Sequence, residues 1–272
     1  MSAENPGLFL EDEKKKHQEQ NRNKKIMVFS AKGGSGKSFI ATNLAVDLIN
    51  QSKKRIILFD LNYQFGDAAI MLNLFPKHTI YDIMEVIDRM DSEMLDSFMT
   101  VHCSGVKVLP GPVEPSQGDA ISNEATLKIM ETLSKISDFI IIDSPSVFSE
   151  NVLLLIEKTD FLCIVASMDV PSIKNLKISL QVLEQLRFSP EKIFVILNRA
   201  NSGVGITADE IEKTIHRRID IFIPSDKIVP ITINKGTPVV MEAPKSSVSK
   251  NINKLTKLIM TSEIKKAEVS FK

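Results

Sequence analysis

SAKGGSGKS, residues 30–38, is the stretch on which the fold turns. It follows the apolar run KIMVFS (25–30) and opens an amphipathic stretch over 37–50. A phosphate-binding loop reads Gly-x-x-x-x-Gly-Lys-Ser/Thr and joins a strand to a helix. Here the opening position is Ala31, and a second lysine, Lys32, stands inside the loop beside Lys37. Gly33, Gly34, Ser35 and Gly36 let backbone N–H groups curl around phosphate oxygens, and a helix N-terminus adds partial positive charge. Lys37 is expected to reach the β- and γ-phosphates of a nucleotide and the Ser38 hydroxyl to ligate Mg²⁺; Phe39 completes the nucleotide-binding set.

Outward from this loop, short apolar runs alternate with segments of helical length. RIILFD (55–60), VKVLP (106–110), FIIID (139–143), FLCIVA (161–166), KIFVILN (192–198) and IFIP (221–224) read as strands. They are too apolar to face water on one side, as buried parallel strands are. Amphipathic stretches at 122–136 and 171–187 lie between them. The alternation predicts an α/β fold: a single-domain P-loop NTPase, its mostly parallel central sheet carrying helices on both faces. Polar residues gather at the carboxyl ends of the strands, where open α/β sheets bind ligands. The loop follows the first strand, Asp60 to Asp67 the second, Asp143-Ser-Pro the FIIID strand and Asn198-Arg199 the KIFVILN strand. Asp143 fits the acidic group that holds Mg²⁺ through water.

The 272 residues are 43% hydrophobic and 25% charged with zero formal net charge, so no overall field argues for nucleic acid or membrane. No apolar run approaches the roughly 20 residues of a spanning helix. Residues 1–23 lack the apolar core of a signal peptide and read as a charged, solvated tail; 24–262 read as the ATPase domain and 263–272 as a flexible C-terminal tail. Cys103 and Cys163 have no CxxC spacing, and Cys163 reads as a small core residue. A cytoplasmic protein is expected.

The KGGSGKS loop resembles the deviant Walker A motif of the MinD/ParA ATPases. The resemblance implies a single ATP-binding domain over about residues 24–260, with Mg²⁺ and an ATP-dependent homodimer. It further implies that Lys32 crosses the dimer interface to the partner's phosphates. A cation reaching phosphate oxygens in a water-poor interface makes a strong charge-assisted contact. Later segments are similar to the CpaE/TadZ branch, which helps place pilus machinery: DLNYQFGDAAIMLNL (60–74), VLPGPVEPSQGD (108–119), VASMDVPSIKNLK (165–177), LNRANSG (197–203) and IPSD…NKGTPV (223–239). By this resemblance Asn198 reads the adenine edge with Arg199 nearby, and Pro224 and Asp226 line the other side of the base. The alternative is that Asn198 caps the following helix. Usual members of the branch carry an N-terminal receiver-like domain where this chain has a charged tail, so receiver-based targeting is expected to be absent or supplied by another chain. The partners implied are proteins of a secretion, pilus or positioning system, with the cell pole or the inner face of the membrane reached through them.

Several rival readings remain. Basic stretches KKR (53–55), RR (217–218) and 245–272, with seven lysines and two acidic residues, are either a DNA surface or solvated faces. Zero net charge makes DNA the weaker partner. SVSKNINKLTKLIM (247–260) places Val248, Ile252, Leu255 and Ile259 on one helical face, either a core-packing or a membrane-surface helix. A shared iron–sulfur cluster lacks suitably placed cysteines, and a tyrosine autokinase lacks a tyrosine-rich tail. The family usually reads Asp-x-Asp after the second strand, its second aspartate positioning the attacking water. Here Asp60 is kept but Asn62 stands at the second position, which predicts slow intrinsic hydrolysis or a nucleotide-gated scaffold. Asp67 substitutes only if the loop folds back, and its spacing from the P-loop makes it the weaker alternative, so Asn62→Asp is expected to hydrolyse faster.

Overall fold

The computed structural model describes residues 23–201 and 205–262. The expected tails lie outside the described residues apart from Asn23, as does part of the LNRANSG segment. Asn23 is buried and donates from Nδ2 to the carbonyl (2.9 Å) and Oγ (2.8 Å) of Ser137, so this residue of the expected tail is packed against the domain.

An eight-stranded sheet runs in the order β3-β4-β2-β5-β1-β6-β7-β8. Its strands are β1 (Lys24–Phe29), β2 (Ile56–Asp60), β3 (Thr100–Val101), β4 (Lys107–Leu109), β5 (Phe139–Asp143), β6 (Phe161–Ser167), β7 (Ile193–Asn198) and β8 (Ile221–Ile223). Every pairing is parallel except β3 with β4. The expected α/β architecture is therefore the observed one. Strand β3 was not foreseen: Thr100 and Val101 form no apolar run, and they pair only as a short antiparallel edge that shields β4.

The helices are α1 (Lys37–Ser52), α2 (Ser92–Ser97), α3 (Pro115–Gly118), α4 (Asn123–Ile136), α5 (Glu150–Lys158), α6 (Val170–Gln185), α7 (Ala208–Ile215), α8 (Ile228–Lys235), α9 (Val239–Glu242) and α10 (Ser247–Thr261). Their starts follow local chemistry. Ser122, Ser149, Asp169, Thr207 and Ser246 each accept a first-turn N–H from the N-cap position.

Alternation along the central strands divides the core between the two faces. Met27, Phe29, Ile57, Phe59, Ile140 and Ile142 pack with α4, α5 and α6; Ile26, Val28, Ile56, Leu58 and Ile141 pack with α1 and α10. Val248, Ile252, Leu255 and Ile259 are fully buried, so α10 is a core helix and its apolar face is closed to lipid. Cys163 is buried in the core and Cys103 is a free, exposed thiol. No helix among the described residues is long and apolar enough to cross a membrane. The chain leaves β1 toward β2 on one side and reaches β6 on the other after β5, so β1 stands where the connections diverge. The crevice outside its carboxyl end is the site that topology favours.

Candidate functional site

The loop after β1 is held open by glycine geometry. Gly34 and Gly36 have φ of 73° and 98°, and Gly36 caps α1. The first helix-internal bond runs from Ile40 N–H to the Gly36 carbonyl (3.0 Å), so the N–H groups of Lys37, Ser38 and Phe39 precede the ladder. A Cβ on Gly33 or Gly34 would meet nothing within 4 Å, so the cradle faces open space. The Phe39 side chain is buried with Ile40 and Leu44 in the core, which leaves only its backbone for a nucleotide.

Two carboxylates stand side by side beneath the loop. Asp60 and Asp143 end adjacent strands in direct register, and each is 1% exposed. Asp60 Oδ1 accepts the Asn62 N–H (3.0 Å) and Oδ2 the Ala68 N–H (3.1 Å). Burial, with the Asp143 charge second, still holds Asp60 well above the usual carboxylate range. Both Asp143 oxygens are buried without a hydrogen-bond partner. Burial pushes the Asp143 carboxyl up to about 6, against the pull of Ser38 and of the Lys37 charge.

Among the described residues no three His, Cys, Asp or Glu side chains converge on a metal position. A cation held by the Ser38 hydroxyl, by Asp143 through water and by phosphate oxygens needs no such cluster. Two orphaned, buried carboxylate oxygens next to Ser38 fit that arrangement.

The same geometry gives a stability prediction. A carboxyl raised in the folded state favours folding below its unfolded value and loses that contribution as pH climbs through about 6. Asp143→Asn removes a buried charge whose oxygens lack a hydrogen-bond partner, at nearly constant volume. Without nucleotide it should raise Tm by several degrees near pH 8, about 1–3 kcal/mol, and change little below the unfolded value, at pH ~3.5. Thermal unfolding at both pH values checks this; a lower Tm at pH 8 would show that the carboxylate has a stabilising partner.

The two lysines part company. Lys37 Nζ donates to Ser146 Oγ (2.6 Å) in the loop after β5, and burial lowers its pKa although the Asp143 charge opposes this. Lys32 turns aside to Asp169 Oδ1 (2.7 Å), the N-cap of α6, with both side chains about one-third exposed. Asn175 Nδ2, on α6, donates to the Ala31 carbonyl (3.0 Å), so α6 braces the front of the loop. Ser146, Asp169 and Asn175 were not singled out from sequence. The Asp-Val-Pro-Ser start of α6 carries a helix-start signal, but nothing local says that its carboxylate faces the loop.

Asn198 and Arg199 leave β7 beside the end of β8, where Asn198 is in register with Ile223, next to Pro224. Asp226 Oδ1 accepts the Ile228 N–H (3.0 Å) at the start of α8. These four residues therefore share one corner of the crevice. Asn198 does not cap the following helix, because Thr207 does so with Glu210 in a reciprocal capping box. Instead Asn198 Nδ2 donates to the Ser35 carbonyl (2.8 Å) and its Oδ1 accepts the Arg199 N–H (3.0 Å). The residue buttresses the loop, a role that sequence reasoning missed.

After β2, the loop folds back as the Asp67 alternative required. Gly66 lies so close that a Cβ there would stand 2.6 Å from Asp60 Oδ2, and Asn62 Nδ2 donates to the Phe65 carbonyl (2.6 Å). Asp67 is exposed at the rim, its charge felt by both Asp60 and Asp143.

Comparisons with known proteins bear on the fold and the family. The chain is 28% identical over 239 residues to the septum site-determining protein MinD of Thermotoga maritima, covering 86% of this chain and 87% of that protein. It is 26% identical over 253 residues to an ATP-binding protein of Methanocaldococcus jannaschii, covering 90% and 92%. Among solved structures, a ParA family ATPase from Chlorobium tepidum superposes with a TM-score of 0.80 at 29% identity, covering 87% of this chain and 99% of that one. MinD of Pyrococcus horikoshii, solved with Mg-ADP, shares the fold with a TM-score of 0.76 at 19% identity, covering 88% and 96%. The model of the CobQ/CobB/MinD/ParA nucleotide binding domain matches residues 26–239, and the chain belongs to that family.

Proposed function

We propose that this chain is a Mg-ATP-dependent dimerising ATPase that positions other proteins, with slow intrinsic turnover. The observation that carries the reading is the open glycine cradle. It sits at the N-terminus of α1, whose first residue, Lys37, lies within reach of the charge of buried Asp143. In this reading the loop N–H groups and Lys37 hold the β- and γ-phosphates, while Asn198, Arg199, Pro224 and Asp226 border the base. Ser38 and, through water, Asp143 hold Mg²⁺, which when bound neutralises charge developing on the phosphates. Lys32 leaves Asp169 to reach the nucleotide of a second copy.

The CpaE/TadZ-like segments support a role in pilus or tight-adherence assembly, in the cytoplasm and at the pole or membrane face through protein partners. A second reading, septum-type positioning, is favoured by the MinD relatives. DNA is the weaker partner. Arg55 is bound to Asp138 (3.1 Å) and Arg217 Nη2 donates to the Ile193 carbonyl (2.5 Å), so two of the three basic stretches spend charge or donors within the fold.

Calorimetry and light scattering with Mg-ATP test the reading. ATP should bind to the monomer and then produce a dimer, whereas DNA near physiological salt should bind more weakly than the ~10⁻⁸ M at which specific binders begin. No ATP binding would end the ATPase reading, and tight ATP-dependent DNA binding would move the protein to the partitioning class. Loss of pili against misplaced septa in a deletion strain separates the two positioning roles.

A further inference from the structure

We infer that Asp67, and not Asn62, supplies the carboxylate that orients the attacking water, an assignment that rests on the ATPase reading above. Both chain neighbours of Asp67 lie on Asp60: Ala68 donates its N–H to Oδ2 (3.1 Å), and Gly66 has no room for a Cβ against the same oxygen. Asp60 is the register partner of Asp143 on β5, one strand from the loop-bearing β1. Asp67 is thereby held near the two buried carboxylates, both of which feel its charge, while its own side chain stays exposed. Its carboxylate accepts no hydrogen bond among the described residues and is exposed, so both oxygens are free to receive one from water.

Asn62 commits both of its donors to the loop itself. Its N–H goes to Asp60 Oδ1 (3.0 Å) and its Nδ2 to the Phe65 carbonyl (2.6 Å). Its own carbonyl is enclosed, since a Cβ on either Gly66 or Gly111 would stand 3.0 Å away. The 108–119 segment clasps the next residue too: a Cβ on Gly118 would stand 2.6 Å from the Tyr63 carbonyl, and Tyr63 Oη is hydrogen-bonded to Thr126 Oγ1 (3.0 Å). Asn62 staples the loop that presents Asp67, and an amide can neither carry the charge nor take the proton.

In the step this assigns, the water oxygen forms a bond to the γ-phosphorus, and the bond from that phosphorus to the β,γ-bridging oxygen breaks. ADP departs with the bridging oxygen and its electron pair. Asp67 accepts the hydrogen bond that aims the water, and the water's proton passes through the carboxylate to an oxygen of the released phosphate. A carboxylate held from one side and open to solvent orients water poorly in an isolated subunit. Slow turnover, rising when a second subunit or partner covers the rim, follows from that exposure.

Single-turnover hydrolysis and ATP affinity, measured on the full chain, test the assignment. Asp67→Asn should slow hydrolysis about 10²–10⁴-fold with ATP affinity within about 3-fold, and Asp67→Glu should restore part of the rate. Asn62→Asp, which sets a carboxylate against the Phe65 carbonyl, should lower Tm without a rate gain. The assignment is overturned if Asp67→Asn hydrolyses at the wild-type rate, if Asn62→Asp accelerates about 10-fold or more, or if wild type binds ATP and never cleaves it. Failure of wild type to bind ATP at all overturns the ATPase reading itself, so the two failures are distinguishable.

Discussion

Gly36→Ala is expected to abolish nucleotide binding while leaving a folded but weakened protein. At φ 98° an L side chain is strained whatever the space, and here the added Cβ would also collide with Asn198 Nδ2. The amide cannot simply step away, because it is tied to the Ser35 carbonyl at 2.8 Å and to the Arg199 N–H at 3.0 Å. Relaxation must come from the loop itself, and that turns the N–H groups of 37–39 away from any common anion. Losing two charge-assisted bonds, about 1.5–3 kcal/mol each, implies about 100-fold weaker ATP binding or worse. Strain and overpacking together should cost about 2–4 kcal/mol of stability. Calorimetric titration and thermal unfolding give both numbers. Adding Asn198→Ala to Gly36→Ala removes the collision but not the strained φ, so stability should return in part and affinity should not. ATP binding by Gly36→Ala at wild-type strength would show that this loop is not the phosphate cradle.

Much of this arrangement was legible in the chain. The buried parallel strands declared themselves because both faces are covered and polar alternation is lost; FIIID and FLCIVA are buried at every position. The loop was legible because glycines, lysine and serine at fixed spacing have few other uses. What stayed hidden depends on distance in space. Asp169 lies far along the chain from Lys32, and only the placement of β6 beside β1 brings the start of α6 to the loop. Asn198 offered an amide that could cap or read an edge, and the sheet order decided that it props the Ser35 carbonyl. Asn62 drew attention because it departs from a motif. The fold-back of the next residues, enforced by Gly66, Gly111 and Gly118 packing on backbone, was invisible as periodicity. β3 was missed because edge pairing of two residues needs no apolar pattern.

Lys32→Ala and Asp169→Asn should shift ATP-dependent dimerisation in opposite directions. If Lys32 reaches the phosphates of a second copy, each dimer gains two such contacts in a water-poor interface, and removing both costs about 10²-fold or more in dimer affinity. Lys37→Ala, by contrast, should remove nucleotide binding itself. Before any dimer forms, each Lys32 is held at 2.7 Å by Asp169. Burial pushes the Asp169 carboxyl up, yet the Lys32 hydrogen bond and the Ser172 N–H outweigh it and keep the group ionised, below its ordinary value. The pair is about one-third exposed, so it is worth little on its own, as surface ion pairs are. Two must break per dimer, however, and Asp169→Asn removes that cost while Asn still caps α6. Dimerisation should then tighten about 2- to 30-fold, most visibly at low salt, where exposed ion pairs are strongest. Light scattering across protein concentration with saturating Mg-ATP, at low and high salt, gives both midpoints. Equal midpoints for wild type and Lys32→Ala would remove the cross-subunit role. Weaker dimerisation of Asp169→Asn would mean that Asp169 belongs to the assembled interface rather than holding Lys32 away from it.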